Sequence, residues 1–91
     1  MSYHETYIAG VKFRPGAADV IAEMDSGAEY QLEAEPTNKF DKFAVKILLN
    51  GFHVGFVPGH LSEEITKLIG EGKITSVIEA GGNKIEIYYK E

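Results

Sequence analysis

The chain has 91 residues, 44% of them hydrophobic and none of them cysteine, so it has room for one modest core, and disulfides and thiolate zinc sites are excluded. We therefore expect one domain over residues 1–91. The formal net charge of −5 argues against a protein that holds nucleic acid by bulk charge alone, although residues 36–60 carry three lysines against one aspartate, a local +2 that leaves −7 for the remainder.

The first third of the chain alternates short elements. Residues 6–14 predict a strand, and residues 15–24 predict a short helix that Pro15 opens. Residues 25–27 carry a turn signal. The alternation of apolar and polar residues then predicts a second strand over residues 29–35.

The pair Asn50-Gly51 is the strongest turn signal in the sequence. It favours a type I′ turn and separates the strand-like residues 43–49 from residues 52–57. A two-residue turn would place Lys46 opposite Gly55, where the missing side chain leaves room for a ligand or for another backbone. The same register puts six apolar side chains on one face, which we expect to be core: Val45, Ile47, Leu49, Phe52, Val54 and Phe56.

The last third of the chain predicts one helix and two strands. Residues 60–72 favour a helix with Ser62 as its N-cap, and two glutamates in its first turn would make that terminus a poor binder of phosphate. Residues 73–80 and 84–90 predict strands. The order β-α-β-β-β-α-β-β, with short connections, predicts a mostly β, α+β fold: a small antiparallel barrel or strongly curled sheet with two short helices packed on it.

No enzyme or metal site is indicated. His4, His53 and His60 lack the spacing of a metal site, and Ser26 lacks the strand-turn-helix context of a catalytic nucleophile. Residues 70–75 lack the third glycine of a dinucleotide fingerprint. We therefore expect no catalytic residue, no metal and no cofactor. The sequence also has neither a signal-peptide pattern nor an apolar run long enough to span a membrane, so we expect a soluble cytoplasmic protein with no membrane partner.

A family resemblance lies in residues 35–58. The stretch EPTNKFDKFAVKIL, followed by GFHVGFVP, resembles the HIRAN domain, a module found beside SNF2-type ATPases and replication-repair proteins and also alone in bacteria. The stretch YIAGVKF, ahead of this motif, also fits the spacing of the family, so the resemblance covers nearly the whole chain. The residues that match the family pattern are Glu35, Pro36, Asn38, Phe40, Asp41, Ala44, Val45, Gly55, Phe56 and Pro58.

The resemblance implies an OB-like or SH3-like curled barrel that binds single-stranded DNA, with a preference for 3′ ends and a place in DNA repair or replication. In such a site, aromatic side chains would stack on bases, Asp41 would accept a hydrogen bond from the 3′-hydroxyl, and lysines would contact phosphates. Phe40 and Thr6 depart from the family, which usually has tyrosine at the first position and, in DNA-end binders, arginine at the second. The nucleic-acid-binding residues that we predict from the resemblance and from the local positive charge are Tyr7, Asn38, Lys39, Phe40, Asp41, Lys42, Lys46 and His53.

The same residues allow other interpretations. Phe40 and Tyr7 would also suit the core, and Asp41 and Asn38 would also suit the capping of a loop through backbone hydrogen bonds. The alternative function is a protein-docking domain, in which the acidic surface outside residues 36–60 recruits a basic partner, an SNF2-type ATPase or a repair protein. For either function we expect a monomer or a weak dimer.

Overall fold

The computed structural model describes residues 1–25 and 27–91, and within these residues six strands make two three-stranded antiparallel sheets. The strands are β1 (Ser2–Tyr7), β2 (Gln31–Ala34), β3 (Val45–Leu49), β4 (Phe52–Phe56), β5 (Ile74–Gly81) and β6 (Lys84–Tyr89), and the helices are α1 (Ala17–Ala22) and α2 (Gly59–Gly70). One sheet has the order β1-β6-β5 and the other β2-β3-β4. The predicted fold class, mostly β with two short helices in the order β-α-β-β-β-α-β-β, is confirmed.

Short bridges join the edges of the two sheets. Ala9, just after β1, and Phe56, at the end of β4, each donate a backbone N–H to the other's carbonyl, at 2.8 and 2.9 Å. On the other side of the molecule, the Tyr30 N–H donates to the Val77 carbonyl at 2.8 Å. Because each bridge spans only a few residues, the two sheets curl around the core without closing into a complete barrel.

The core lies between the inner faces of the two sheets and one face of α2. Valine and isoleucine dominate it, as expected for pleated strands that bury one face. One polar pair is buried with them: the Tyr30 hydroxyl donates to Glu79 Oε1 at 2.8 Å. Burial, and then this hydrogen bond, raise the pKa of Tyr30 far above its ordinary value. The largest fully buried apolar side chains are Val45, Ile47, Val54, Ile65, Ile85 and Ile87.

The β3–β4 hairpin keeps the predicted turn but only part of the predicted register. Asn50 and Gly51 both have positive φ, 51° and 85°, as a type I′ turn requires. A bulge follows, so that Ile47 pairs with Gly55 rather than with Val54. Since neighbouring residues of a strand face opposite sides, this one-residue shift reverses the faces of the residues that follow Val54.

The bulge corrects the predicted core. Phe56 pairs with Lys46 and lies on the outer face of the β2-β3-β4 sheet, half-buried. Val57, which a register without a bulge would place on the outer face, is buried instead of Phe56. Phe52, also predicted to be core, is 39% exposed at the end of the hairpin. The six-residue apolar face is therefore wrong at its two phenylalanines.

The close approach at Gly55 is the physical reason for this arrangement. A Cβ atom built on Gly55 would lie 2.5 Å from Ile8 Cγ2 and 2.6 Å from the Ala9 carbonyl oxygen, so only glycine fits beside the chain that leaves β1. The missing side chain thus makes room for another backbone, which was one of the two occupants that the sequence left open. The cross-strand partner of Gly55 is Ile47 and not Lys46.

The segment between β1 and α1 differs from the predictions. β1 ends at Tyr7, and Gly10, with φ of 75°, leads into a 3₁₀ turn over Val11–Phe13. The predicted strand over residues 6–14 is therefore wrong beyond Tyr7. The predicted helix is confirmed but short, beginning after Gly16. Ser26, in the turn predicted next, lies outside the described residues.

The start of α2 is also earlier than predicted. The helix begins at Gly59 after Pro58 as its N-cap residue, and no acidic residue lies in its first turn. Ser62 is buried inside the helix and is not its N-cap. The prediction that two glutamates occupy the first turn, and would repel phosphate from it, is therefore wrong.

Candidate nucleic-acid interface

The loop between β2 and β3 is built around the side chain of Asn38. Its Oδ1 accepts hydrogen bonds from the backbone N–H groups of Phe40, at 2.8 Å, and Asp41, at 3.0 Å. Its Nδ2 donates to Glu35 Oε1 at 2.7 Å. This hydrogen bond, more than the neighbouring Lys46, lowers the pKa of Glu35. The loop is therefore a fixed structure, held by the local side-chain bonds that asparagine makes well.

Asp41 ties this loop to α2. One carboxylate oxygen accepts the backbone N–H of Phe43 at 2.8 Å, and the other accepts the Ser62 hydroxyl at 2.7 Å. The interpretation of Asp41 as a cap is thus supported by geometry. An ionised carboxylate has about four acceptor positions, so these two bonds leave capacity for a further donor.

Phe40 projects from this fixed loop into solvent. Its exposure is 97%, which is unusual for a phenylalanine. The interpretation of Phe40 as a core residue is therefore wrong. Tyr7 is also exposed, at 53%, so its interpretation as a core residue is wrong too.

A cavity of about 260 Å³ lies beside Phe40, between the loop, the end of β4 and the start of α2. Its floor is apolar, and its polar groups come from the loop. Gly59 lines it, so the first turn of α2, which carries no acidic side chain, borders the opening. The residues that line the cavity are Ala9, Asn38, Phe40, Asp41, Ala44, Phe56, Val57 and Gly59.

A basic group lies next to the cavity on the outer face of the β2-β3-β4 sheet. Lys46 Nζ is 3.3 Å from Glu35 Oε2 and 3.8 Å from Glu33 Oε1. His53 donates from Nε2 to the Gly55 carbonyl at 2.9 Å, and its ring meets the edge of Phe56 with centroids 4.7 Å apart. Burial, and then the positive charge of Arg14, lower the pKa of His53.

The structure divides the predicted site residues into four groups. Asn38, Phe40 and Asp41 line the cavity. Lys46 and His53 lie beside it on the sheet, and Lys39 and Lys42 lie on the exposed part of the loop, with Lys42 Nζ 5.2 Å from the centre of the Phe43 ring. Tyr7 is separate: it belongs to the outer face of the other sheet, opposite Lys84, and does not line the cavity.

Sequence reasoning missed two contributors to this region. Phe56 was assigned to the core because an unbroken hairpin register would place it there, and only the bulge turns it toward the cavity. Arg14 was read as part of a strand. The start of α2, which borders the cavity, was also predicted too late. The Pro58-Gly59 pair was the available signal for the earlier start, since proline is common at the beginning of helices.

Within residues 1–25 and 27–91, neither a cluster of metal-binding side chains nor a membrane-spanning helix is present. No group of three or more histidine, aspartate or glutamate side chains is placed to hold a metal ion. No helix in this part of the chain has the length and apolar character needed to cross a bilayer.

Comparisons with known proteins agree on the fold. The family model of the HIRAN domain matches residues 1–87. The crystal structure of the HIRAN domain of human HLTF is similar, with a TM-score of 0.75 and 17% identity, over 99% of this chain and 78% of that one. A protein from Lactobacillus plantarum gives a TM-score of 0.76 and 14% identity, over 96% of this chain and 87% of that one. No curated protein matches.

Proposed function

This chain belongs to the HIRAN domain family, whose members are nucleic-acid-binding modules, and we propose that it binds single-stranded DNA, with a preference for 3′ ends, in DNA repair or replication. The observation that carries the proposal is the exposed Phe40 on a fixed loop at the edge of an apolar cavity. An aromatic ring stacked on a base contributes about 1–3 kcal/mol and tolerates any sequence. Little ordering entropy is lost on binding, since the loop is held before the strand arrives.

The polar groups of the cavity suit a strand end. In the proposed complex the terminal base stacks on Phe40, and the terminal sugar enters between Asp41 and Gly59. The remaining acceptor positions of Asp41 take the 3′-hydroxyl. A 3′-phosphate would meet this carboxylate as a like charge, which predicts discrimination against blocked ends. Lys39, Lys42, Lys46 and His53 are the proposed contacts to phosphates further along the strand.

Tyr7 has a weaker place in this proposal. Its ring is exposed on the outer face of the β1-β6-β5 sheet and does not line the cavity, although Ala9, two residues later, does. A bound strand would have to extend past Ala9 to reach it.

The test is a fluorescence anisotropy titration with a short oligo-dT that carries either a free or a phosphorylated 3′ end. We expect binding with a preference for the free end. Asp41→Ala separates the two roles of the carboxylate: loss of the cap lowers the free energy of unfolding by about 0.5–2 kcal/mol, and loss of the 3′-hydroxyl contact reduces the preference for free ends. Unchanged end preference in a folded Asp41→Ala protein would restrict Asp41 to the cap.

A protein-docking function is the second candidate, and the register of β1 with β6 favours it. Glu5 lies directly opposite Glu86, and like charges directly opposite each other destabilise a sheet. The stacked rings of Tyr3 and Tyr88, 5.1 Å apart, lie beside this pair. A basic partner, such as an SNF2-type ATPase, would relieve the repulsion and contact the rings. Failure to bind single-stranded, forked or duplex ends at low salt would favour this function over the first.

A further inference from the structure

The strand β1 forms one edge of the β1-β6-β5 sheet, and half of its backbone polar groups point away from the sheet. Ile8, just after β1, donates its N–H to the Asn83 carbonyl at 2.8 Å, on the side of β6. Ala9 points the other way and bonds Phe56 of the second sheet. Because this direction alternates along a strand, the N–H and C=O groups that point away from β6 are those of Tyr3, Glu5 and Tyr7. Among the described residues, no backbone group bonds to these groups.

The other three sheet edges carry features that hinder pairing with another chain. β4 is bulged and bonded to Ala9, and β5 is bulged and bonded to Tyr30. β2 has only four residues, and Pro36 lies two residues beyond it. β1 has six residues, and its register with β6 shows no shift from Ser2 to Tyr7. Within the part of the chain that the structure describes, β1 is therefore the edge best suited to accept another strand.

The side chains of this edge add exposed apolar surface to it. Tyr3 and Tyr7 are each 53% exposed on the outer face of the sheet, and Met1, just before the strand, is 80% exposed. Glu5 lies between the two tyrosines and faces the carboxylate of Glu86. A regular edge strand with exposed apolar side chains is an association surface.

A second copy of β1 complements the first about a two-fold axis at His4. Antiparallel pairing on this axis places Tyr3 of one copy opposite Glu5 of the other, and Met1 opposite Tyr7. Tyr3 and Glu5 then exchange both backbone hydrogen bonds, through the groups that the fold leaves at the open edge. The Tyr3 hydroxyl also faces a carboxylate to which it is able to donate.

The neighbouring registers are less favourable. An axis at Glu5 places two carboxylates directly opposite each other, which destabilises a sheet. An axis at Tyr3 places Glu5 opposite Met1, whose side chain offers no donor. On the axis at His4, the imidazole meets its copy on the other face of the strand, and each imidazole is hydrogen-bonded to the Glu64 carboxylate of its own chain.

We propose that this chain forms a two-fold dimer in which the β1 strands of two copies pair antiparallel about His4, so that the two β1-β6-β5 sheets become one continuous sheet. No residue that lines the cavity beside Phe40 lies in β1, and the inference goes beyond the proposed function and does not rest on it. Interfaces that bury less than about 1,200 Å² are typical of weak complexes, and one pair of six-residue strands is small. We therefore expect a dissociation constant on the order of 100 μM.

Proline at position 5 tests the pairing without removing a bond of the fold. The Glu5 N–H points to the open edge, so Glu5→Pro removes a donor of the proposed interface and leaves the ladder with β6 intact. Glu5→Ala is the matched control, because it removes the same side chain and keeps the N–H.

Sedimentation equilibrium at protein concentrations up to about 1 mM measures the dimer. We expect Glu5→Pro to weaken it at least about tenfold, because the two-fold axis makes each copy lose the same bond. Glu5→Ala should change the dissociation constant less than about fivefold, the range of a single cross-strand pair. Melting temperatures show whether both variants are folded.

Cysteine cross-linking maps the register, since the chain has no cysteine of its own. Residues directly opposite each other have Cα atoms about 4.5–5.5 Å apart, a distance that a disulfide spans. On oxidation with copper phenanthroline, we expect His4→Cys to cross-link with itself. An equimolar mixture of Tyr3→Cys and Glu5→Cys should cross-link more than either variant alone. Glu33→Cys, on the edge strand β2, is the control and should cross-link only at the rate of random collision.

The outcomes separate the dimer from the proposed function. A chain that stays monomeric up to about 1 mM overturns the inference, as does a dimer that a folded Glu5→Pro leaves unchanged. Should Glu5→Pro fail to fold, the cysteine series decides. Glu5→Cys that cross-links alone more than in the mixture, or Glu33→Cys that cross-links as fast as His4→Cys, also overturns it. A dimer with these properties in a protein that binds no oligo-dT would leave the inference standing and overturn the proposed function alone.

Discussion

The two sheets bury similar inner faces and present very different outer ones. The outer face of the β2-β3-β4 sheet carries His53 and Lys46, whose Nζ pairs with Glu33 and Glu35. Together with Lys39 and Lys42 of the adjoining loop, this face is the basic side of the molecule. The outer face of the β1-β6-β5 sheet carries Glu5 opposite Glu86. A domain this small can present two such different faces because inward packing determines the fold and leaves the outward positions free.

The aromatic residues of the two outer faces differ in the same way. Tyr3 and Tyr88 stack on each other, so each ring already has a partner. Phe40, beside the cavity, is 97% exposed. Because the Phe40 ring is almost fully exposed, it can stack on a base without giving up an existing contact, whereas Tyr3 and Tyr88 would have to separate first.

The largest expected effect separates inner from outer positions on one strand. Ile47 is fully buried on β3. Ile47→Ala should lower the free energy of unfolding by about 2–5 kcal/mol, because apolar burial is lost and a cavity is left behind. The change of its neighbour Lys46 to alanine should lower it by less than about 1 kcal/mol, because ion pairs at the protein surface contribute little. Urea unfolding measures both. A loss at Lys46 as large as that at Ile47 would mean that the two faces are not distinct.

The second prediction concerns the contact that joins the sheets. Gly55→Ala should lower the free energy of unfolding by about 1–3 kcal/mol, because the new Cβ would meet Ile8 Cγ2 at 2.5 Å and the Ala9 carbonyl at 2.6 Å. Gly59→Ala is the control, since a Cβ there has no neighbour within 4 Å among the described residues. Chemical denaturation of the two variants should show a loss for Gly55→Ala alone. Equal stability would contradict the close approach of the chain after β1.

The third prediction tests the basic side as a binding surface. Phe40→Ala should leave the melting temperature unchanged and weaken the binding of a short oligo-dT by about 1–3 kcal/mol through lost stacking. Phe13→Ala removes another exposed phenylalanine, 75% accessible and absent from the cavity lining, and should leave the affinity unchanged. Both quantities come from thermal melts and anisotropy titrations. Equal losses of affinity would show that exposed rings act without regard to the cavity.

The smallest effect is a pH dependence of stability on the basic side. Burial, and then the charge of Arg14, lower the pKa of His53 in the folded protein, so the unfolded chain binds the proton more tightly. This contribution to stability is present above the unfolded value of about 6.5 and is lost as the pH falls toward the lowered folded value. His53→Gln should lose less melting temperature than the unsubstituted protein between pH 7.5 and pH 5.5. Parallel pH profiles of the two proteins would contradict the assignment.

The loop of residues 35–44 shows how far sequence reasoning reached at the candidate site. The family motif identified Asn38, Phe40 and Asp41, and all three line the cavity. All three were left with alternative interpretations that only coordinates could decide. The exposure of Phe40 depends on the local bonds of Asn38, while the second bond of Asp41 goes to Ser62, 21 residues later. A contact of that kind leaves no periodic signal in the sequence.

Elements whose causes are local could be read from the sequence. The Asn50-Gly51 turn requires positive φ at two adjacent residues, and α2 follows from its apolar stripe. The strands follow from alternation and were predicted correctly, except that residues 8–14 do not continue β1. The direction in which Phe56 faces depends instead on tertiary packing. The chain after β1 approaches Gly55 from more than 40 residues away and leaves no room for a side chain there. The bulge in β4 lies next to this contact, and beyond it Phe56 faces the cavity. Such a close approach is a property of two distant segments packed together, and neither segment encodes it alone.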